Sequence, residues 1–285
     1  MRRMPEGWAG PAIDILPDSG SRKRIRLPVW LLAGLGLVTA GLAGQHPPTY
    51  QPRQLDCGVY RQELRATVLL ESGRQRTEEH TGRHSRLMVT ARAGDSSITI
   101  EARIDSLLVW REGSGERLSP ETDGVIGARY LGRLSPRGSF TVLDTPFVPD
   151  EVQDIMDLRD LAAELFPALP AEPLGPGGSW SDGLGMVLTR DADRVWNGQR
   201  VSRYRLTRRF VRTERTVLPD SSQVTAERNE TEQGTFDWSE ELGPVRWVRS
   251  VHVEVGIPAG GPVRQSFRTS IEQVIRTERV GTGGC

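Results

Sequence analysis

SITIEARIDSLLVWR, residues 97–111, alternates apolar and polar side chains more cleanly than any other stretch of this chain. The alternation predicts one face made of Ile98, Ile100, Ala102, Ile104, Leu108 and Trp110. Thr99, Glu101, Arg103, Asp105 and Arg111 belong to the other. A two-residue period of this kind describes a half-buried antiparallel strand, apolar toward a core and charged toward water.

Working outward, the same period recurs on both sides. Residues 58–70 place Tyr60, Leu64, Ala66, Val68 and Leu70 together, and residues 83–93 resume after a polar turn expected at 71–81. Residues 123–134 and 139–143 flank Ser135-Pro136-Arg137-Gly138, whose Pro and Gly suit a tight turn. Further on, Asn197-Gly198 is the strongest short hairpin signal in the chain, suited to a type I′ turn. Turns are also expected at Pro219-Asp220-Ser221 and Leu242-Gly243-Pro244. After the second, Val245, Trp247, Val251, Val253 and Val255 share a face, interrupted by Arg249. The last strand puts Val263, Phe267, Ile271 and Ile275 on one side.

Between the two runs of strands the period changes. Residues 149–166 read as a helix, with Pro149 at its start and Asp150 and Glu151 in the first turn, where the helix dipole favours negative charge. Val152, Ile155, Met156, Ala162, Ala163, Leu165 and Phe166 form its apolar stripe, and Pro167 and Pro170 end it. The fold class is therefore mainly β: an antiparallel curled sheet or incomplete barrel with one covering helix.

An N-terminal hydrophobic helix is expected from Leu27 to Gly44 (LPVWLLAGLGLVTAGLAG), the one long uncharged run, preceded by Arg22, Lys23, Arg24 and Arg26. Its length is at the lower edge of what crosses a hydrocarbon core of roughly 30 Å. The basic flank stays in the cytoplasm and sends the remainder outward. Two readings stand: an uncleaved signal-anchor, giving a single-pass inner-membrane protein, or a cleaved signal peptide, giving a secreted or periplasmic one. Gln45 stands where a lipoprotein would carry its acylated cysteine, so no acyl chain attaches there. The domain division is then a polar cytoplasmic leader (1–26), the hydrophobic segment (27–44), a proline-rich spacer (45–56), one β-rich extracytoplasmic domain (57–280) and a flexible tail (281–285).

Composition narrows the function classes. Thirty-seven basic residues balance 37 acidic ones, and Lys23 is the only lysine. Arginines interleave with acids along the strands, as on a solvated sheet face, which argues against nucleic acid as a partner. Cys57 and Cys285 are the two cysteines. They either form a disulfide closing nearly the whole body or remain two unrelated thiols. His80 and His84 have the spacing of a helical metal pair, but four residues of strand span roughly 13 Å, too far to grip one ion. His46 lies in the spacer, and His252 lies on a polar strand face. Neither a Gly-x-Ser-x-Gly elbow nor a Gly-rich phosphate loop is present. Neither a catalytic residue, a metal ligand nor a cofactor is expected. The tryptophans, Trp110, Trp180, Trp196, Trp238 and Trp247 among them, either fill a core or line a groove for an apolar or glycan partner.

Phe166-Pro167-Ala168-Leu169-Pro170 leading to Gly178-Ser179-Trp180, with Gly234-Thr235-Phe236-Asp237 followed by Gly243, resembles a group of uncharacterised bacterial envelope β-domain proteins. The order of strands and helix is distantly similar to the LolA-type lipoprotein-carrier fold, an incomplete barrel over helical cover that holds acyl chains. That resemblance implies a cavity for lipid or lipoprotein. The candidate lining drawn from the apolar faces is Ile100, Ile104, Leu108, Trp110, Met156, Trp247, Val251, Phe267 and Ile271. The leading expectation is a non-enzymatic envelope protein that binds a hydrophobic ligand or acylated partner in the concave side of its sheet. Its rivals are an envelope protein–protein scaffold with a solid core and, third, a hydrolase.

Overall fold

A computed structural model describes residues 46–217, 223–259 and 265–285. The polar leader, the hydrophobic helix expected at 27–44 and the turn expected at Pro219-Asp220-Ser221 lie outside the described residues. None of the helices among the described residues is long and apolar enough to cross a membrane.

The described residues form one antiparallel sheet, open at both edges. In its first half run β1 (Gly58–Ser72), β2 (Gln75–Ala93), β3 (Ile98–Gly113), β4 (Glu116–Leu118), β5 (Arg129–Leu134) and β6 (Phe140–Asp144). The second half holds β7 (Ser179–Ser181), β8 (Met186–Arg190), β9 (Arg194–Trp196) and β10 (Gln199–Val217). It ends with β11 (Gln223–Ser239), β12 (Gly243–Ile257) and β13 (Phe267–Thr282). The spatial order is β6-β5-β3-β2-β1-β13-β12-β11-β10-β8-β7, with β4 on β3 and β9 on β10. Each half is a meander, and the halves meet where the first strand pairs with the last, from Gly58↔Thr282 to Ser72↔Phe267. Beyond that pairing Gly283 donates its N–H to the Cys57 carbonyl (2.8 Å). A disulfide then joins Cys57 to Cys285, with Cα atoms 5.6 Å apart.

The hairpins at Asn197-Gly198 and Ser135–Gly138 form as expected. Asn197 and Gly198 both have positive φ (47° and 80°), as a type I′ turn requires. The polar turn expected at 71–81 is instead mostly strand. β1 and β2 pair out to Ser72↔Gln75, so the turn is only Gly73-Arg74 and the charged stretch 75–81 continues the sheet. β11 likewise runs unbroken through Gly234. A Cβ there would lie 2.8 Å from the Val248 carbonyl oxygen, so glycine lets the strands close up.

Residues 145–178 carry the chain from β6 at one edge to β7 at the other and cover one face. They are not the single helix expected at 149–166. A four-residue helix (Asp150–Gln153) is followed by turns and a 3-10 turn at Ala163–Leu165. Two side chains take backbone groups that a helix would use itself. The Asp157 carboxylate accepts the Arg159 N–H (2.9 Å), an Asx-type turn that competes with helix. Tyr130 donates its hydroxyl to the Leu158 carbonyl (2.8 Å). Burial pushes that phenol's pKa up, keeping it a neutral donor. The segment still buries Val152, Leu158, Leu161, Ala162, Leu165 and Phe166 against the sheet.

The 135–138 hairpin anchors the far end of this cover. Arg137 donates to the carbonyls of Pro48, Pro170 and Ala171 (2.9, 3.0 and 3.1 Å), and Leu169 donates to the Arg137 carbonyl (2.9 Å). At Gly138 (φ 92°) a Cβ would meet the Pro167 carbonyl oxygen at 2.4 Å. Tyr50 donates its hydroxyl to that same oxygen (2.9 Å) and meets Phe166 edge-on. Residues 46–56, expected as an extended spacer, are thereby part of the body. Tyr50 and Leu55 are fully buried, and Pro52–Leu55 form a short helix.

Replacing both cysteines by serine is expected to cost about 5 kcal/mol of unfolding free energy, because the bridge closes a loop of 228 residues in the unfolded chain. Urea unfolding of oxidised protein and the double variant measures this. A difference below about 1 kcal/mol would show that strand pairing alone fixes the seam.

Candidate functional site

Directly paired residues share a face, so the register sorts every strand residue to the covered side or the opposite one. On the covered side the sheet is layered along its strands. The lowest layers are a solid core of Tyr60, Leu87, Ile100, Ile104 and Trp238, all buried, and the row above adds Tyr204, Phe236 and Trp247. On the central strands that same row is polar: the Gln62 side-chain amide donates to the Thr277 hydroxyl (3.3 Å) and the Ser85 hydroxyl donates to Gln62 Oε1 (3.5 Å).

One step further along is a row of buried charge. Arg83 on β2 and Arg249 on β12 flank the central pair Leu64↔Ile275. Glu164, on the 3-10 turn of the cover, reaches both: it pairs with Arg83 and lies 3.6 Å from Arg249. Arg249 also approaches Glu232 at 3.4 Å, and its guanidinium lies 4.7 Å from the Trp247 ring centroid. The Arg83 side chain is only 1% exposed and Glu232 8%, so these charges are held by one another rather than by water. Arg249, the residue that interrupts the apolar face of its strand in the sequence, therefore has a partner on the cover. Three donors in this region lack an acceptor: Arg83 Nε, Arg249 Nε and the Trp247 indole Nε1.

Beyond the charged row the cover ends, with Met156 packed on Leu64, Ala66 and Ile275. The same face of β1, β13 and β12 then continues as Ala66, Val68 and Leu70, Ile271 and Phe267, and Val251, Val253, Val255 and Ile257. Polar residues frame it, Thr81 and Glu79 on one side and Glu230 and Arg228 on the other. Leu70 is 42% and Phe267 44% exposed, while Val68, Ile271, Val255 and Ile257 are half-buried.

The nine candidate lining residues are thus divided among three places. Ile100, Ile104 and Trp247 belong to the solid core and line no cavity there. Met156, Val251, Ile271 and Phe267 belong to the apolar shelf. Leu108 and Trp110 lie on the opposite face, which corrects the alternation expected for residues 97–111. A β-bulge is the cause: Arg86 pairs with Ser106 but Leu87 with Ile104, leaving Asp105 over, so parity flips and Leu107 and Val109 point into the core. The consecutive pairs Asp105-Ser106 and Leu107-Leu108 are the signal for it in the sequence. Arg83, Glu164 and Glu232 were not singled out, because charged residues on alternating strands, or on the polar side of an expected helix, read as solvated until burial is known.

On the opposite face a trough of about 650 Å³ crosses six strands, lined by Arg65, Thr67, His80, Trp110, Glu112 and His252 among others. The Trp110 ring lies against Gly82, where a Cβ would overlap it at 2.4 Å, and Arg117 stacks at 4.9 Å from the ring centroid. His80 sits 3.2 Å from the Thr67 hydroxyl, and His252 lies between Glu254 and Glu272 at 3.4 and 3.7 Å. Among the described residues, Asp56, Cys57 and Cys285 are the only trio of potential metal-binding side chains whose donor atoms converge. The sulfurs are consumed in the disulfide, which leaves no thiolate to bind an ion.

No protein-family model matches the chain, and no curated protein does. Among the solved structures that align with it is the crystal structure of a DUF1329 family protein from Desulfovibrio piger. The alignment has 11% identity, covers 80% of this chain and 88% of that one, and gives a TM-score of 0.17. A likeness at that score carries no argument about architecture or role. Phe166–Pro170, which carried the resemblance to envelope β-domain proteins, acts in this structure as the latch of the cover on the 135–138 hairpin.

Glu164→Ala is expected to destabilise the protein by about 3–5 kcal/mol, since it strands Arg83 in a buried site. Adding Arg83→Met should recover most of that loss in denaturant titrations. A cost below about 1 kcal/mol for Glu164→Ala alone would mean the arginine finds water or another acid.

Proposed function

We propose that this is an exported, membrane-tethered, non-enzymatic envelope protein that holds a hydrophobic molecule or the acyl chain of a partner on the uncovered half of its sheet. The observation that carries the reading is the apolar shelf itself. Past the point where the cover stops, three adjacent central strands present apolar side chains and three uncharged polar ones, Ser72, Thr269 and Gln273. Contiguous apolar surface of this kind, rimmed by polar residues, marks ligand or partner sites. From Leu64 to Leu70 the shelf runs about 20 Å at strand rise, long enough for an extended acyl chain to lie along it. The disulfide supports export, since such bonds persist in oxidising compartments. The basic-flanked apolar run at 27–44 supplies the tether.

The filled core under the cover favours a second reading, a protein–protein scaffold in which the same shelf docks a polypeptide. A neutral environment-sensitive dye, N-phenyl-1-naphthylamine, separates the two when titrated into delipidated protein. Saturable fluorescence enhancement that long-chain acyl compounds displace is expected. Val68→Glu or Ile271→Asp should weaken it at least tenfold, and Leu108→Glu on the opposite face should leave it unchanged. Absence of displaceable dye binding in folded protein would remove the ligand reading and leave the scaffold.

A further inference from the structure

We infer that the trough on the opposite face of the sheet is a binding site for an extended, uncharged glycan of the β-1,4-linked type, lying across the strands. The site is separate from the apolar shelf and independent of any ligand held there.

The register builds it. One row of directly paired residues runs Glu112, His80, Thr67, Glu272, His252 and Thr231 across β3, β2, β1, β13, β12 and β11. The order Glu-His-Thr therefore occurs twice, three strand spacings apart, or about 14 Å. The neighbouring row on the same face supplies Trp110, Arg65, Ser250 and Gln233, and the trough of about 650 Å³ lies along the two.

These side chains can be reached from solvent. The His80 side chain is 50% exposed and that of His252 39%. Glu112, Thr231, Gln233 and Ser250 are exposed as well. Among the described residues, the side chains of those four make no hydrogen bond or ion pair within the chain.

The chemistry of the rows selects among ligands. The carboxylates only accept, arginine only donates, and the hydroxyl, amide and imidazole groups do both. A polyol meets all three kinds at once, because each of its hydroxyls donates and accepts. Glu112 and Glu272 share a row and oppose a polyanion, whether nucleic acid or acidic polysaccharide. Arg65 opposes a cation in the same way. A hydrocarbon laid here would desolvate polar groups and offer them nothing.

The spacing selects the shape. A ligand lying along the row meets a new strand about every 4.8 Å, close to the advance of one sugar unit in an extended β-1,4-linked chain. A coiled α-linked chain leaves a straight row within a few units. A polypeptide gains no main-chain pairing, since a sheet offers its backbone groups at its edges and not on its faces.

Isothermal titration calorimetry of the full-length protein with cellohexaose, chitohexaose, maltohexaose and hexagalacturonate tests this. Saturable binding of cellohexaose or chitohexaose is expected, at least tenfold tighter than that of the α-linked or the acidic hexaose. His80→Ala and His252→Ala should each weaken it about fivefold, the effect of one lost hydrogen bond, and the double variant should abolish it. Val68→Glu on the covered face should leave it unchanged, so that this site and the shelf stand or fail separately. Absence of binding by both β-1,4-linked hexaoses, in protein whose circular dichroism shows an intact sheet, would overturn the inference. Equal binding of maltohexaose or hexagalacturonate would overturn it too. Reduced, carboxymethylated α-lactalbumin serves as an extended polypeptide. If it alone binds, and the double histidine variant abolishes that binding, the face belongs to a protein partner and the inference falls.

Discussion

The structure depends on the pairing of its first strand with its last. β1 and β13 run antiparallel along their whole lengths and lie in the middle of the sheet, so each half of the chain is a meander that grows outward from this seam. The edges are consequently β6 and β7, which are consecutive in sequence but ten strand spacings apart, about 48 Å if the sheet were flat. The segment joining them has to cross a face, and at up to about 3.3 Å per residue it has far more length than it needs. That slack lets residues 145–178 follow the sheet as turns, giving up helical hydrogen bonds wherever Asp157, Tyr130 and Arg137 offer replacements.

The cover does not extend over the whole face, and the charged row marks where it stops. Below it, large apolar side chains are fully buried and packed against one another. Above it, equally apolar strands are left partly open. Ion pairs of this kind contribute little net stability compared with hydrophobic replacements, but they punish loss of one partner heavily. Glu164 therefore fixes the position of the cover more than it strengthens the fold. A boundary built from matched charges also keeps the solid core from extending into the shelf, since any apolar group pushed across it would strand an arginine.

Much of this was legible in the sequence. Period-two stripes identified the sheet, its hairpins at Asn197-Gly198 and Ser135–Gly138, and the inward face of β12, because each depends on local alternation and turn chemistry. Leu108 and Trp110 were misplaced because one extra residue at Asp105 inverts a face, and alternation counts cannot see a pairing partner. The helix at 149–166 was read from a pattern of apolar spacing that turns satisfy equally well when carbonyls are taken by residues distant in sequence, as Leu158 is by Tyr130. The charged row was invisible for a related reason. Arg83 and Glu232 look like surface residues until the sheet and its cover bring Glu164 and Arg249 to them.

The central seam has a bearing on how the chain acquires its shape during synthesis. β1 can pair at once with β2 on one side, yet its other side must wait until β13 has appeared. Throughout elongation the first half exposes a long unpaired edge bearing Leu64, Val68 and Leu70. Contacts so distant along the chain form slowly, and an exposed edge is open to misassociation meanwhile. The nascent first half therefore needs shielding until β13 has been made, and the sulfur–sulfur bond that follows this strand records that the wait is over.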